Sequence, residues 1–169
     1  QGGVAQGGVA QGGVAQGGVA QGGVAQGGVA QGGVAQVDEV VLREAMDAAR
    51  VDDVARALPD GLDTVISARG RSLSGGQRQR VALARALAAA PPVLVVHDPT
   101  TAVDAVTEVS LAAGIKRVRS GLTTIVVATS PALLAAADRV VFLASGVVVS
   151  SGAHADLVAD EDYRLVVLS

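Results

Sequence analysis

The sequence predicts an α/β domain preceded by a low-complexity tail, and three observations carry that expectation. Short apolar runs, VLVV (93–96), TTIVVA (123–128) and RVVFLA (139–144), alternate with helix-patterned segments. The first two runs are continuously apolar or β-branched rather than alternating, which is how a parallel sheet covered on both faces reads. The first 35 residues, by contrast, are seven identical copies of QGGVA without a single charged side chain.

Taken in order, residues 38–57 read as one helix. Val40, Val41, Ala45, Ala48 and Ala49 recur at spacings of three and four, with acidic residues at the start. Pro59-Asp60-Gly61 is a turn, and SARGRSLSGG, rich in glycine and serine, is loop. QRQRVALARALAAA (77–90) is a strong helix former with Val81, Ala84, Leu87 and Ala88 on its inner face. Ser74 stands ahead of it as a cap, and Pro91-Pro92 stops it. VLVV is a buried strand. Asp104 caps a helix to about Arg119 whose inner stripe is expected to be Val106, Val109, Ala113 and Val118, and Gly121 ends it. TTIVVA is a second buried strand. Ser130-Pro131 opens a helix to Ala137. RVVFLA turns back through Ser145-Gly146 into Val147–Val149, and a last helix fits 153–158.

A period of five suits neither a helix nor an alternating strand. A square β-helix would take one pentad per side, but seven pentads give under two coils. Disorder is therefore expected for residues 1–35, with a root-mean-square span on the order of 30–35 Å.

Composition narrows the function. A net charge of −3 argues against a nucleic-acid partner, which needs a basic field. The absence of cysteine removes disulfides, thiolate metal sites and cysteine nucleophiles. The longest nearly apolar run, Ala86–Val96, has 11 residues and two prolines, whereas a membrane span needs about 20. No membrane span and no leader peptide are expected.

LSGGQRQRVALARAL (73–87) is the strongest candidate for binding an anion. Two glycines permit close backbone approach, Ser74 supplies a hydroxyl, and the first amides of a helix point outward with the positive end of its dipole. A serine-capped glycine loop with no ligand explains the same spacing equally well. Arg78 and Arg80 read by default as a solvated face. The second candidate is Asp98, at the end of a strand where a crevice handles metal-bound phosphate. His97 beside it is read first as an ordinary strand-end residue.

These two stretches, in this order and about 20 residues apart, resemble the nucleotide-binding domain of an ATP-binding cassette (ABC) transporter. LSGGQ, Leu73 to Gln77, is identical to the family signature, and LPDGLDTVISARGRSLSGGQRQRVALARAL resembles the exporter branch. PTTAVD (99–104) matches the approach to the D-loop, and residues 121–158 resemble the family's C-terminal half. The resemblance is expected to run from Val37 to about Val158 and to concern the C-terminal part of the domain only. It implies a partial P-loop NTPase core with a helical signature segment at 36–90, the rest of the α/β core at 91–158 and a tail at 159–169.

Carried over by position, Ser74, Gly75 and Gly76 would contact the γ-phosphate of ATP seated on a partner domain. Gln77 would start the helix behind them, and Asp104 would link the two sites. The family's Mg²⁺-holding aspartate and water-polarising glutamate fall at His97 and Asp98, and its switch histidine at Thr129. An imidazole supplies no anionic charge to Mg²⁺, and aspartate is one methylene shorter than glutamate. The pattern GxxxxGK[ST] does not occur in the 169 residues, and the one lysine is Lys116.

The resemblance thus implies ATP and Mg²⁺ only in a complex with a second nucleotide-binding domain that owns a P-loop. It also implies the transmembrane domains of an exporter and a cytoplasmic place against the membrane. The resemblance puts the P-loop strand inside the sheet, between strands like VLVV and TTIVVA. Without it, either unpaired backbone groups or a rearrangement is expected there, and a marginal core for the chain alone. Three functions compete: an ATPase domain lending its signature to a partner, a non-catalytic interaction fragment, and an independent hydrolase using His97 and Asp98. The last is disfavoured because neighbours on a strand point to opposite faces.

Overall fold

The computed structural model describes residues 38–66 and 72–168; the expected tail of repeats, and residues 67–71 of the expected loop, lie outside the described residues. Helix α1 spans Glu39–Ala48 and α2 Val51–Arg56, followed by a 3₁₀ turn at Gly61–Asp63. Then come α3 (Gly75–Ala88), β1 (Val93–His97), α4 (Ala105–Val118), β2 (Thr123–Val127) and α5 (Pro131–Ala136). A hairpin of β3 (Val140–Ala144) and β4 (Val147–Gly152) leads into α6 (His154–Leu157) and α7 (Glu161–Val167).

Side-chain caps begin most of the helices. Asp38, Ser74, Asp104, Ser130 and Asp160 each accept a hydrogen bond from a backbone amide two or three residues on. Each satisfies one of the donors that a first helical turn leaves open. The hairpin turns through Ser145 at φ 51° and Gly146 at φ 78°, two left-handed residues in succession, as a tight right-twisted hairpin requires.

The helix expected over residues 38–57 is two helices. Arg50 adopts φ 55° and ψ 39°, a left-handed conformation that costs a non-glycine residue about 1–2 kcal/mol. The turn lets Ala49, Val51 and Val54 all reach the interior. Arg50 is held by its Nε–H to Asp53 at 2.9 Å, and its carbonyl accepts from Arg80 at 3.4 Å.

β1 pairs directly with β2 in parallel, Val93 opposite Thr123 through His97 opposite Val127, with α4 as the crossover. Of the two outcomes expected where the P-loop strand is missing, the register shows no gap of unpaired backbone groups: the two strands pair directly along their whole length. Burial on both faces is corrected. Leu94 and Val96 are buried, whereas Val93, Val95, Ile125 and Val127 are about half exposed. The helices cover one face of the pair, so a continuous apolar sequence has a half-open strand.

The principal core joins α1, α3 and α4 to that covered face through Ala45, Ala48, Leu83, Leu87, Leu111 and Ile115, with Leu94 and Val96 from β1. Of the stripe expected on α4 only Val118 packs against the core: Val106 is 80% and Val109 61% exposed, while Leu111, Ala112, Gly114 and Ile115 are buried. The cause lies at Gly114, where a Cβ would stand 2.5 Å from the Ala48 carbonyl oxygen and 2.8 Å from its Cα. The two helix backbones touch there, and that contact sets the rotation of α4 in place of its most hydrophobic arc. Arg117 of α4 reaches Asp47 of α1 at 2.5 Å on the same side.

A second, smaller core holds Val140, Phe142, Leu157, Tyr163 and Val167. Phe142 meets Tyr163 edge-on at 5.4 Å, and the Tyr163 hydroxyl pairs with His154 Nδ1 at 2.8 Å. Helix α7 occupies residues where the sequence reading placed no element. Among the described residues, no helix is long and apolar enough to cross a membrane.

Candidate functional site

The chemistry-bearing residues gather where the parallel strands end, at one side of the principal core. Ser74 is the N-cap of α3: its Oγ accepts from the Gln77 amide at 3.2 Å, and the Gln77 side chain accepts from the Ser74 amide at 2.8 Å. This reciprocal pair fixes the entry to the helix. Gly75 and Gly76 form the first turn, where amides have no intrahelical acceptor.

Gly76 is buried because the chain at Ala102 passes over it. A Cβ at Gly76 would collide with the Ala102 carbonyl oxygen, and one at Gly75 would rest 3.7 Å from the Ala102 methyl. The two glycines therefore serve a close backbone approach within the chain itself.

The loop 98–104 is held from both sides. The buried Thr100 donates to Glu108 of α4 at 2.7 Å. Gln79 of α3 donates to the Asp98 carbonyl at 3.3 Å and to the Thr101 hydroxyl at 2.8 Å, and accepts from the Ala102 amide at 3.2 Å. Asp104 ends the loop as the cap of α4, accepting from the Thr107 amide at 2.9 Å and the Thr107 hydroxyl at 2.8 Å. Hydrogen bonds from Gln79 and the close approach of Gly76 to Ala102 thus join the start of α3 to the loop that leads to Asp104. Sequence reading missed Gln79, since a glutamine inside a helix carries no local signal of a distant loop.

Those bonds from Thr107, the backbone amide first, hold the Asp104 carboxyl below its ordinary value of 3.8. A lowered folded-state pKa stabilises the fold above 3.8, and the stabilisation is lost as pH falls through the lowered value. Asp104→Ala is accordingly expected to melt at a lower temperature than the parent at about pH 6, with the gap closing as the pH is taken below 3.8. Thermal melts across that range check it.

His97 ends β1, and Asp98 follows at φ 44°. That left-handed residue turns the chain out of the strand, and Asp98 Oδ2 comes back to 3.3 Å from His97 Nε2. The expectation that the two side chains point apart is corrected, because it assumed a regular strand. Thr129 follows β2 and is exposed, at the same end of the sheet as His97, whose register partner is Val127. An imidazole and one carboxylate in mutual contact do not fit Mg²⁺, which takes oxygen donors in octahedral geometry. Nor do the described residues bring together three His, Asp or Glu side chains as a metal site would need. An open cavity of about 670 Å³, lined by Arg43, Asp47, Asp52 and Arg117 among others, includes none of the expected site residues.

Comparison with known proteins follows the same lines. The ABC transporter family model matches residues 23–101. An ATP-dependent lipid A-core flippase of Thiobacillus denitrificans is 42% identical over 120 residues, covering 71% of this chain and 21% of that protein. Multidrug resistance protein sirA of Leptosphaeria maculans is 41% identical over 121 residues, 72% of this chain and 10% of that one. A bacterial Atm1-family ABC exporter solved with ATP bound superposes with a TM-score of 0.68 at 33% identity, over 79% of this chain and 24% of its own.

The fold is that of a partial P-loop NTPase core of the ABC ATPase type. Family match, relatives and structure together support membership of the ABC transporter nucleotide-binding family, exporter branch. The chain spans about a fifth of the length of the flippases it matches. One expectation is overturned. The family model begins at residue 23, inside the repeats, and ends at Thr101. The match is thus an N-terminal portion of this chain, not a C-terminal part of the domain without its phosphate-loop region. Motif-bearing residues had set the earlier boundary, and they are absent from the glycine-rich stretch where the match starts.

Proposed function

We propose that this chain is a nucleotide-binding segment of an ABC-type exporter whose signature loop completes an ATP site on a second domain. The observation that carries the reading is the LSGGQ helix entry, capped by Ser74 and packed through Gly75 and Gly76 onto the loop that leads to Asp104. The Ser74 hydroxyl and the first-turn amides would hold the γ-phosphate of ATP bound by the partner's P-loop. Gln77 would keep that entry fixed, and Asp104 would face the opposite site across the interface.

His97, Asp98 and Thr129 stand at the family's metal, base and switch positions with altered chemistry, so hydrolysis is assigned to the partnered site. ATP is the ligand and Mg²⁺ accompanies it on the partner's residues. The partners are a second nucleotide-binding domain carrying GxxxxGK[ST] and transmembrane domains of an exporter, which places the assembly at the cytoplasmic face of a membrane.

The test titrates labelled ATP with Mg²⁺ against the chain alone and against the chain mixed with a nucleotide-binding domain that carries GxxxxGK[ST]. Binding or turnover is expected only in the mixture. Ser74→Arg is expected to reduce it at least about 100-fold, the scale of losing one phosphate-directed donor in a closed site. No response in either titration would overturn the reading, and so would turnover by the chain alone.

A further inference from the structure

Two parts of the site, the signature loop and the 98–104 loop, belong to different elements, and one side chain ties them. Gln79 lies one turn into α3 and makes three hydrogen bonds to the other loop, at the Asp98 carbonyl, the Thr101 hydroxyl and the Ala102 amide. The orientation of its amide group is determined by chemistry. Its oxygen must meet the Ala102 N–H and its nitrogen the Asp98 carbonyl, and the reverse would oppose donor to donor and acceptor to acceptor. The three contacts span the loop from Asp98 to Ala102, and the φ of 44° at Asp98 is a conformation that persists only where its surroundings impose it. Ala102, the last of the three, is the residue on which Gly75 and Gly76 rest. From there the chain has two residues to Asp104.

We propose that Gln79 is a positioning residue that makes the signature loop and the 98–104 loop move as one body. Ser74, Gly75 and Asp104 then keep a fixed spacing. A displacement at Asp98 or Thr101 is transmitted through the Gln79 amide and the Ala102 backbone to the glycines, and the reverse. The coupling is a property of the chain alone. Its consequence for ATP-dependent pairing rests on the signature-lending function proposed above.

Nitrogen-15 spectra of the full chain test the coupling without a partner. In Gln79→Leu, exchange of the Ala102 amide is expected to accelerate roughly tenfold, the equivalent of one lost hydrogen bond. The Gly75 and Gly76 amide resonances are expected to move in the same variant. Thr101→Val removes the Gln79 bond from the opposite end without touching α3, together with the 3.5 Å bond from the Thr101 hydroxyl to the Asp98 carbonyl, and the glycine resonances should move again. Gln79→Glu keeps the acceptor and loses the donors, so it should restore protection at Ala102 while the glycine shifts remain. This separates positioning from a merely structural loss, and it stands even where Gln79→Leu fails to fold.

In the mixture with the second nucleotide-binding domain, Gln79→Leu is expected to raise the ATP concentration for half-maximal pairing roughly 5- to 10-fold with the plateau unchanged. Glycine resonances that stay in place in all three variants would overturn the proposal, as would an Ala102 exchange rate untouched by Gln79→Leu. If the shifts appear but no pairing occurs with unmodified chain, the coupling holds and the signature-lending function fails.

Discussion

Replacing Gly114 with alanine is expected to destabilise the chain by about 1–3 kcal/mol, the cost of forcing a methyl group into a closed core. On an isolated helix the same change would stabilise by about 1 kcal/mol, since alanine has the better helix propensity. The sign reverses because the added carbon would stand 2.5 Å from the Ala48 carbonyl oxygen, a backbone atom that cannot swing aside. To relieve the clash α1 and α4 must separate, which loosens Ala45, Ala48, Leu111 and Ala112 together. Chemical denaturation followed by helical circular dichroism measures it. The neighbouring exposed Ala113 is the control: Ala113→Gly should cost only the propensity difference of about 1 kcal/mol. An equal or higher midpoint for Gly114→Ala would mean that the helices are not in contact there.

Arg119→Met is expected to cost roughly 3 kcal/mol, although it removes a charge that faces no acid in the described structure. The Arg119 side chain is 4% exposed. It donates to the Pro91 carbonyl at 2.7 Å, the Thr123 carbonyl at 2.9 Å and the Thr124 hydroxyl at 3.1 Å. Burial pulls the guanidinium below its usual pKa. Three directed hydrogen bonds nonetheless pin the end of α4 to the starts of β1 and β2. Methionine fills a similar volume but leaves the part-buried Pro91 and Thr123 carbonyls without the donors that Arg119 supplies, and an orphaned acceptor costs more than the bond was worth in exchange with water. Arg119→Lys should recover only part of the loss, because one ammonium cannot reach three acceptors fixed in the plane of a fork. Urea midpoints for the two variants would check the ranking, and an undiminished midpoint for Arg119→Met would refute it.

What could be read from the sequence was local. Ser74, Asp104 and Ser130 are short polar side chains at the mouths of apolar-periodic segments, and each caps the helix it was expected to cap. The strands followed from runs of valine and isoleucine bounded by proline or glycine. The features that escaped depend on distant contacts. Arg50 bears no mark of a left-handed residue, and only the burial of Ala49 and Val51 on either side demands it. Helix α4 turns its small residues inward because α1 lies against Gly114, so hydrophobicity ranked Val106 and Val109 wrongly. In the site, the spacing of LSGGQ located the helix entry, but Gln79 and Thr100 connect residues on different elements and leave no periodic trace. Asp98 met His97 through a backbone turn that no strand rule anticipates.

The second core has an optical consequence. The chain contains one tyrosine, one phenylalanine and no tryptophan, and both rings, Phe142 and Tyr163, lie in that core in edge-on contact. Near-ultraviolet absorption and intrinsic emission therefore come from the end of the chain opposite in sequence to the signature helix. Tyrosine emission will track the release of the Tyr163 ring and its hydroxyl from Phe142 and His154. The α1–α3–α4 assembly will unfold in the dark, visible only through its backbone. The difference between the two signals is a built-in gauge of whether the halves of this chain come apart together.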